Sequence, residues 1–257
     1  MAGVAVIVQA RMGSSRLPGK ILKPLGGMTA LAQCLRRCRA IPGVNRVVCA
    51  IPEGLADEPV AVEAERCGVV VTRGPSGDVL RRYRLAADAV AADLVMRVTS
   101  DCPLIDPVLC GRILQPILAG DADYACNNQP PSWPHGLDAE AFTAKGLREA
   151  DELAADPFDR EHVTPWLRRA EGLRRVNLAR KGDDLSHSCR WTLDYPEDYA
   201  FLAALFDHLP PAPVIPDLEQ ILALLEGHPE LAALNAMHHG VRAAPPAITE
   251  LRNRSGQ

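Results

Sequence analysis

The segment VAVIVQARMGSSRLPGKILKPL, residues 4–25, decides the class of fold. A short valine-rich strand runs straight into a loop with two glycines, a proline and the cations Arg11, Arg16 and Lys20. A loop that only reverses the chain does not need three cations within ten positions. Because positive charge on a glycine-rich loop attracts anions, we expect an anionic ligand at the carboxyl end of this strand.

Strand-like and helical segments alternate outward from this loop through the first half of the chain. We predict strands over Val4–Gln9, Arg46–Ile51, Val69–Thr72 and Leu94–Thr99, and helices over Thr29–Ala40, Asp57–Cys67 and Asp78–Ala91. This alternation indicates an α/β fold with a parallel sheet and helices on both faces. Ligands of such sheets bind beyond the carboxyl ends of the strands, which here are followed by polar or glycine-rich loops.

The second half of the chain is less regular. Residues 127–142 predict a proline-rich turn before a short strand, and residues 156–170 predict the start of a helix. Further strands are predicted within 174–180 and 188–194, and helices over Glu197–His208, Leu218–Glu226 and Pro229–Met237. We predict one domain over residues 1–239, a small inserted acceptor and dimerisation lobe at about 124–190, and a frayed tail over 240–257.

Composition excludes several classes of protein. With 257 residues, 47% hydrophobic content and a net charge of −4, the chain predicts a globular enzyme-sized domain and not a nucleic-acid binder. We expect no signal peptide and no membrane association, since no apolar run approaches the roughly 20 residues that span a bilayer. The eight cysteines contain no CxxC pair, so we expect reduced thiols and a cytoplasmic protein.

Two common glycine-rich motifs do not fit the first loop. A P-loop requires four residues between its glycines and Ser or Thr after its lysine, whereas five residues separate Gly13 from Gly19 and Ile21 follows Lys20. The dinucleotide fingerprint G-x-G-x-x-G is absent as well. A third explanation is the signature loop of the nucleotidyltransferases that activate sugars and related acids.

The segment QARMGSSRLPGKILKPLGG, residues 9–27, resembles the signature of the cytidylyltransferase superfamily, which includes the enzymes that activate sialic acid and Kdo. The chain is most similar to the branch named for spore-coat polysaccharide biosynthesis. Five further segments resemble that branch in the same order: RGPSGDVLRRY (73–83), RVTSDCPLIDP (97–107), HGLDAE (135–140), REHVTPW (160–166) and RWTLDYPEDY (190–199).

The resemblance spans about residues 3–237 and implies both a fold and a function. The implied fold is Rossmann-like, the three-layer nucleotide-diphospho-sugar transferase fold with a mixed, mostly parallel sheet. The implied activity is Mg²⁺-dependent transfer of CMP from CTP to a sugar acid or a small phosphorylated or carboxylated acceptor, with release of pyrophosphate. Surface polysaccharide or glycan biosynthesis and a homodimer are further family expectations.

Nucleotidyl transfer places negative charge on the departing pyrophosphate, which cations and backbone N–H groups stabilise. Gly13, Ser14 and Ser15 let the backbone approach phosphate oxygens, and Arg11 and Lys20 supply charge, with Arg16 a third candidate. The predicted nucleotide-binding residues are Gln9, Ala10, Arg11, Gly13, Ser14, Ser15, Lys20, Pro52, Arg73, Gly74, Asp78, Thr99 and Asp101; Arg11, Lys20 and Asp101 are the predicted catalytic residues. Asp78 also begins a helical pattern and is expected to cap that helix.

The resemblance implies that Asp101 and Asp194 hold Mg²⁺, and both follow predicted strands. Mg²⁺ commonly takes one or two protein carboxylates together with phosphates and water. Asp106 precedes Pro107 and is instead expected to cap a helix.

The acceptor pocket is expected to use the inserted lobe. Its predicted residues are His135, Gly136, Asp138, Glu140, Arg160, Glu161, His162 and Arg190. Arg190 either binds an acceptor anion or pairs with Asp194, and His162 is either a ligand contact or a helix residue without a role.

Three other functions stay open. A glycosyltransferase-type enzyme usually carries Asp-x-Asp after a strand, where this chain has SDCP at residues 100–103. A nucleotidylyltransferase that uses another nucleoside triphosphate usually begins with a more glycine-rich loop. A catalytically inactive binding subunit is disfavoured, because the loop cations and both carboxylates are present.

Overall fold

A seven-stranded sheet runs through the centre of the molecule, and residues 2–241 are the part of the chain that the computed structural model describes. The strands are β1 (Val4–Gln9), β2 (Pro24–Leu25), β3 (Met28–Thr29), β4 (Arg46–Pro52), β5 (Val70–Gly74), β6 (Leu94–Thr99), β7 (Tyr124–Cys126), β8 (Glu140–Thr143) and β9 (Arg175–Asn177). The order across the sheet is β5-β4-β1-β6-β8-β7-β9, and β2 and β3 form a separate antiparallel pair. Only β8 runs against its neighbours, so the sheet is mixed and mostly parallel.

Helices cover the sheet and the end of the chain. They are α1 (Ala30–Arg39), α2 (Glu58–Arg66), α3 (Val79–Ala89), α4 (Pro107–Leu118), α5 (Ala144–Leu153), α6 (Pro157–His162), α7 (Pro165–Arg169), α8 (Pro196–His208), α9 (Leu218–Gly227) and α10 (Pro229–Ala233). Short 3₁₀ turns lie at Lys20–Leu22, Leu55–Asp57 and Ala236–His238. No helix within residues 2–241 is both long and apolar enough to cross a bilayer.

Alternate residues of β1 belong to two hydrophobic cores, one on each face of the sheet. Val6 packs in the core that contains Leu31 and Ile113, from α1 and α4. Ile7 packs in the opposite core, where the Tyr83 hydroxyl of α3 donates to the carbonyls of Ile7 and Val98 at 3.1 and 3.3 Å. Successive side chains of a strand point to opposite faces, so this division establishes the predicted three-layer α/β fold.

The four strands predicted in the first half are confirmed, with small differences at their ends. The strand predicted within 188–194 is wrong, since Arg190 forms only an isolated bridge with His135 there. The helix predicted to begin within 156–170 is interrupted at Val163, which has φ of 72°. Pro165 then begins the next helix, at a first-turn position that proline favours.

Residues 124–190, the predicted acceptor and dimerisation lobe, supply β7, β8 and β9 to the main sheet. The role of this segment in acceptor binding and dimerisation stays a prediction. Of the predicted tail, residues 242–257 lie outside the described residues. All eight cysteines lie within the described part of the chain and are free thiols, six of them buried.

Glu140, a predicted acceptor residue, lies in the interior of the sheet with 1% of its surface exposed. It stands opposite Arg97 across β6 and β8, and its carboxylate accepts from Arg97 Nη1 at 2.7 Å. Arg168 and the Tyr124 hydroxyl also donate to this carboxylate. Burial raises the pKa of Glu140, but Arg168 and Arg97 outweigh burial and lower it to about 2. Glu140 therefore joins β6, β7, β8 and α7 through buried charge.

We predict that Glu140→Gln lowers the free energy of unfolding at pH 7 by about 3–5 kcal/mol, because two guanidinium groups lose their buried counter-charge. Urea denaturation measures this, with Glu149→Gln on the exposed face of α5 as a control expected to stay within about 0.5 kcal/mol. The contribution of an ionised Glu140 is fully present above the unfolded pKa of about 4.3 and is lost as pH falls toward 2. If the free energies of unfolding of wild type and Glu140→Gln changed in parallel below pH 4.5, the low pKa assigned to Glu140 would be contradicted.

Candidate active site

A polar cleft of about 370 Å³ opens at the carboxyl ends of β1 and β6. The parallel pairing of Gln9 with Thr99 brings the loops after these two strands together. The cleft is lined by Gln9, Ala10, Arg11, Gly13, Ser14, Ser15, Arg16, Lys20, Ile21, Val79, Arg82, Thr99, Ser100, Asp101, Glu161, His162 and Asp194. Loops and cations that are far apart in sequence therefore meet at one edge of the sheet.

This cleft brings together most of the predicted nucleotide residues and part of the predicted acceptor set. Members of the predicted nucleotide set that line it are Gln9, Ala10, Arg11, Gly13, Ser14, Ser15, Lys20, Thr99 and Asp101. The predicted metal ligand Asp194 and the predicted acceptor residues Glu161 and His162 line it too. The remaining predicted residues, which are Pro52, Arg73, Gly74, Asp78, His135, Gly136, Asp138, Glu140, Arg160 and Arg190, are not among its lining residues.

The loop after β1 is held at several points along its length. The Met12 N–H donates to the buried Asp57 carboxylate at 2.6 Å, and Leu17 N–H donates to Ser14 Oγ at 3.3 Å. Gly19 has φ of 64°, a conformation that glycine adopts without steric cost, and it leads into the 3₁₀ turn that begins at Lys20. Ile21 is buried beneath this turn. Local structure thus directs Lys20 into the cleft and leaves Arg11 exposed at its edge.

The Lys20 ammonium lies between the two predicted metal ligands. Its Nζ donates to Asp101 Oδ2 at 2.8 Å and to Asp194 Oδ1 at 2.7 Å. Burial lowers the pKa of Lys20, but the two carboxylates outweigh burial and raise it above its ordinary value. Burial raises the pKa of Asp101, but Lys20 outweighs it and lowers the pKa to about 2. Lys20 and Asp101 are therefore both charged at neutral pH in this arrangement.

Behind the cleft, a buried ion pair anchors the segment that carries Asp194. Arg190 and Asp198 are 2% and 0% exposed, with Nε–Oδ1 and Nη2–Oδ2 distances of 2.8 and 3.0 Å. The Asp198 carboxylate also accepts from the backbone N–H groups of Asp194 and Tyr195, each at 3.0 Å. Arg190 also pairs with Asp194 at 3.4 Å, as one of the two predictions had it, but its shorter contacts are with Asp198. Arg190 therefore positions Asp194 from below.

The HGLDAE segment packs against the backbone of this anchored segment. Trp191 N–H donates to the carbonyl of His135 at 2.6 Å. Gly136 has φ of 112°, and a Cβ added there would lie 2.5 Å from the carbonyl carbon of Trp191. Only glycine permits this approach, so the glycine that we predicted for acceptor contact is required for packing.

Three other predicted ligand residues are engaged in ion pairs. Arg73 pairs with Glu58 at 2.8 Å. Asp78 caps α3, as predicted, by accepting from Arg81 N–H at 2.9 Å, and it also pairs with Arg160 at 2.5 Å. The ion pair between Asp78 and Arg160 gives both residues a structural role, because it ties the start of α3 to α6.

Sequence reasoning missed Ile21, Val79, Arg82 and Ser100 among the cleft residues. Arg82 is 2% exposed, and its Nη1 donates to the carbonyl of Pro75 at 2.8 Å. Burial lowers the pKa of Arg82. Val79 and Arg82 could have been predicted from their places in a predicted helix. They are three residues apart and therefore lie on the same face of that helix, which borders the cleft.

The donor set of the cleft fits a divalent cation that shares its ligands with a substrate. Within residues 2–241 no group of three or more His, Cys, Asp or Glu side chains is arranged to hold a metal ion by itself. Asp101 and Asp194 nevertheless converge on one cation, Lys20 Nζ. Two carboxylates suffice for Mg²⁺ when phosphate and water oxygens complete its octahedron.

Comparison with known proteins gives consistent relatives. A protein-family model described as Cytidylyltransferase matches residues 5–231. The spore coat polysaccharide biosynthesis protein SpsF of Bacillus subtilis is 29% identical over 239 residues, covering 90% of this chain and 98% of SpsF. A 3-deoxy-manno-octulosonate cytidylyltransferase of an Anaeromyxobacter species is 30% identical over 237 residues, covering 89% of this chain and 86% of that protein.

A solved structure resembles nearly the whole described chain. The structure of a cytidylyltransferase from Leptospira borgpetersenii aligns with a TM-score of 0.84 at 28% identity. The alignment covers 95% of this chain and 100% of the other.

We predict that Asp198→Asn lowers the free energy of unfolding by about 3–5 kcal/mol, because Arg190 keeps its buried charge and loses its counter-charge. Chemical denaturation followed by circular dichroism measures the change. Asp207→Asn, at an exposed position of the same helix α8, is the matched control and is expected to shift stability by less than about 0.5 kcal/mol. Equal effects of the two substitutions would show that the buried pair does not anchor the segment.

Proposed function

The chain belongs to the cytidylyltransferase family and is a nucleotidyltransferase, and from this premise we propose that it transfers CMP from CTP to a small acceptor with release of pyrophosphate. The acceptor we propose is a sugar acid or a small phosphorylated or carboxylated metabolite used in surface polysaccharide or glycan biosynthesis. The observation that carries the proposal is one cleft that unites the loop cations, the Gly13–Ser15 backbone and two converging carboxylates.

The proposed chemistry assigns the phosphate side of the cleft to the loop after β1. An acceptor oxygen attacks the α-phosphorus of CTP in line, and the bond to pyrophosphate breaks. Arg11, Lys20 and the backbone N–H groups of the loop stabilise the negative charge that develops on the leaving pyrophosphate. Mg²⁺, which Asp101 and Asp194 would hold, supplies further neutralisation of phosphate charge. No covalent intermediate with the protein is part of the proposal.

The acceptor side is assigned to Glu161 and His162, which line the cleft from the end of α6. Burial lowers the pKa of His162, and the nearby charges of Arg97 and Arg168 lower it further against the influence of Glu161. His162 is therefore uncharged at neutral pH and able to accept a proton from a hydroxyl acceptor. A phosphate or carboxylate acceptor needs no such base. The homodimer belongs to this proposal through the sequence resemblance alone, and the cytoplasmic location through the cysteine content of the sequence.

Thermal stabilisation by CTP, UTP, GTP and ATP, each with and without Mg²⁺, tests the nucleotide site. We expect stabilisation by CTP with Mg²⁺ of about 2.7 kcal/mol at 100 times the dissociation constant. Asp101→Ala is expected to remove the Mg²⁺-dependent part, whereas Asp121→Ala, at an exposed position remote in sequence from the cleft loops, keeps it. Selective stabilisation by UTP, GTP or ATP would show that the substrate is that nucleotide and not CTP. The absence of any stabilisation by all four nucleotides would overturn the proposal.

Arg11→Ala is expected to weaken CTP binding by about 10–100-fold, because a charge-assisted hydrogen bond to phosphate contributes about 1.5–3 kcal/mol. Among described residues the Arg11 side chain has no ion-pair partner, so its loss leaves no buried charge behind. Isothermal titration calorimetry compares it with Arg46→Ala at the opposite, amino-terminal end of β4. An unchanged affinity of Arg11→Ala for CTP would remove Arg11 from the site.

A further inference from the structure

The ammonium group of Lys20 occupies the point where the two cleft carboxylates converge. Its Nζ is 2.8 Å from Asp101 and 2.7 Å from Asp194, and the lysine side chain is only 13% exposed. Those are the carboxylate oxygens that a divalent cation would take as ligands, at about 2.0–2.1 Å for Mg²⁺. One pair of carboxylates cannot hold both cations in this place, because the two positive charges would repel each other at contact distance.

We propose that Lys20 is a place-holder cation, so that a divalent metal reaches Asp101 and Asp194 only when Lys20 leaves them for the phosphates of the nucleotide. This inference deepens the proposed function and rests on it. Its consequence is that metal and nucleotide bind with positive coupling, each raising the affinity of the protein for the other. Without nucleotide, the lysine neutralises the carboxylates and the metal binds weakly.

The carboxylates are fixed independently of Lys20. Leu193 N–H donates to the carbonyl of Asp101 at 2.9 Å, which ties the two backbone segments together. Asp194 N–H is held at 3.0 Å by Asp198, which in turn pairs with buried Arg190. The pair of carboxylates therefore keeps its arrangement when the ammonium moves away.

Lys20 has both the freedom and the destination that such a move requires. Its charge is carried on a flexible four-carbon stem, in contrast to the planar fork of an arginine. The serines and the exposed Arg11 of the same loop line the same cleft, so bound phosphates would lie within reach of the lysine. Two other cations, Arg16 and Arg190, stay near Asp194 and offset part of its charge. Arg16 lies 3.4 Å from Asp194 and 4.8 Å from the centre of the Tyr195 ring.

The decisive experiment titrates Mn²⁺ into nucleotide-free protein and follows free Mn²⁺ by electron paramagnetic resonance. We expect Lys20→Met to bind Mn²⁺ more tightly than wild type by about 5–150-fold, the usual range of coupling between linked sites. Lys23→Met is the matched control, because the Lys23 ammonium lies 5.0 Å from the centre of the Tyr199 ring, and it is expected to behave as wild type. Affinities of Lys20→Met and wild type within twofold of each other would overturn the proposal.

The double variant Lys20→Met/Asp101→Asn identifies the site of the gained binding. We expect the gain to disappear, whereas a gain that persists would place the metal elsewhere and overturn the proposal. Circular dichroism establishes that each variant is folded.

A measurement on wild type alone keeps the test independent of any variant. Water proton relaxation distinguishes protein-bound Mn²⁺ from Mn²⁺ carried by free CTP, because the protein complex tumbles slowly. We expect CTP to raise the Mn²⁺ affinity of the wild-type protein, and coupling below twofold in a protein that does bind CTP would overturn the proposal. Tight Mn²⁺ binding by Lys20→Met in a protein that binds no CTP would instead refute the proposed function and leave the competition at the carboxylates standing.

Discussion

The contact of Lys20 with Asp101 and Asp194 is the interaction at the centre of the cleft. Lys20 lies 81 positions before Asp101 and 174 positions before Asp194 in the chain. Lys20 follows β1, Asp101 follows β6, and Asp194 lies in a segment that belongs to no strand. The parallel pairing of β1 with β6 brings the first two segments to one edge of the sheet. Opposite charge then draws the Lys20 ammonium to the two carboxylates, because a charged group in a partly buried cleft needs a partner of opposite sign.

The segment that carries Asp194 shows how a functional side chain is fixed without regular secondary structure. Its backbone N–H groups bond to three different places, with Trp191 bonding to His135, Leu193 to Asp101 and Asp194 to Asp198. In a β-sheet, by contrast, every second N–H group of a strand bonds to the same neighbouring strand. The buried Arg190–Asp198 pair replaces that ladder as the rigid support.

The first half of the fold could be predicted because its strands are valine-rich and, except for the edge strand β5, mostly buried, so that they contrast clearly with the helical segments between them. The cleft could be predicted for the same reason, since ligand sites follow the carboxyl ends of parallel strands. The segment at 188–194 has the apolar and β-branched residues of a strand but finds no partner strand, and composition does not reveal pairing. The three-residue strand β7 is too short to show a period.

The predicted acceptor residues divide according to where their charges find partners. Glu140 pairs with Arg97 and Arg160 pairs with Asp78, and both partners lie far away in the sequence, so these contacts depend on tertiary structure that no local pattern encodes. Asp78, a predicted nucleotide-binding residue, forms the helix cap that its position in the sequence predicts. Of the predicted acceptor residues, only Glu161 and His162 at the end of α6 line the cleft.

The orientation of that pair is set by the residue that follows it. Val163 has φ of 72° and ψ of −55°, and Thr164 N–H donates to the carbonyl of His162 at 2.8 Å, which together form a γ-turn of the strained type. A β-branched residue in this region costs about 1–3 kcal/mol, so the turn persists only where its surroundings determine it. Val163 is fully buried among the apolar residues beneath α3 and α5, and Pro165 begins α7 directly afterwards. Packing on one side and proline on the other thus end α6 at His162, beside the cleft that the charges of Lys20, Asp101 and Asp194 define.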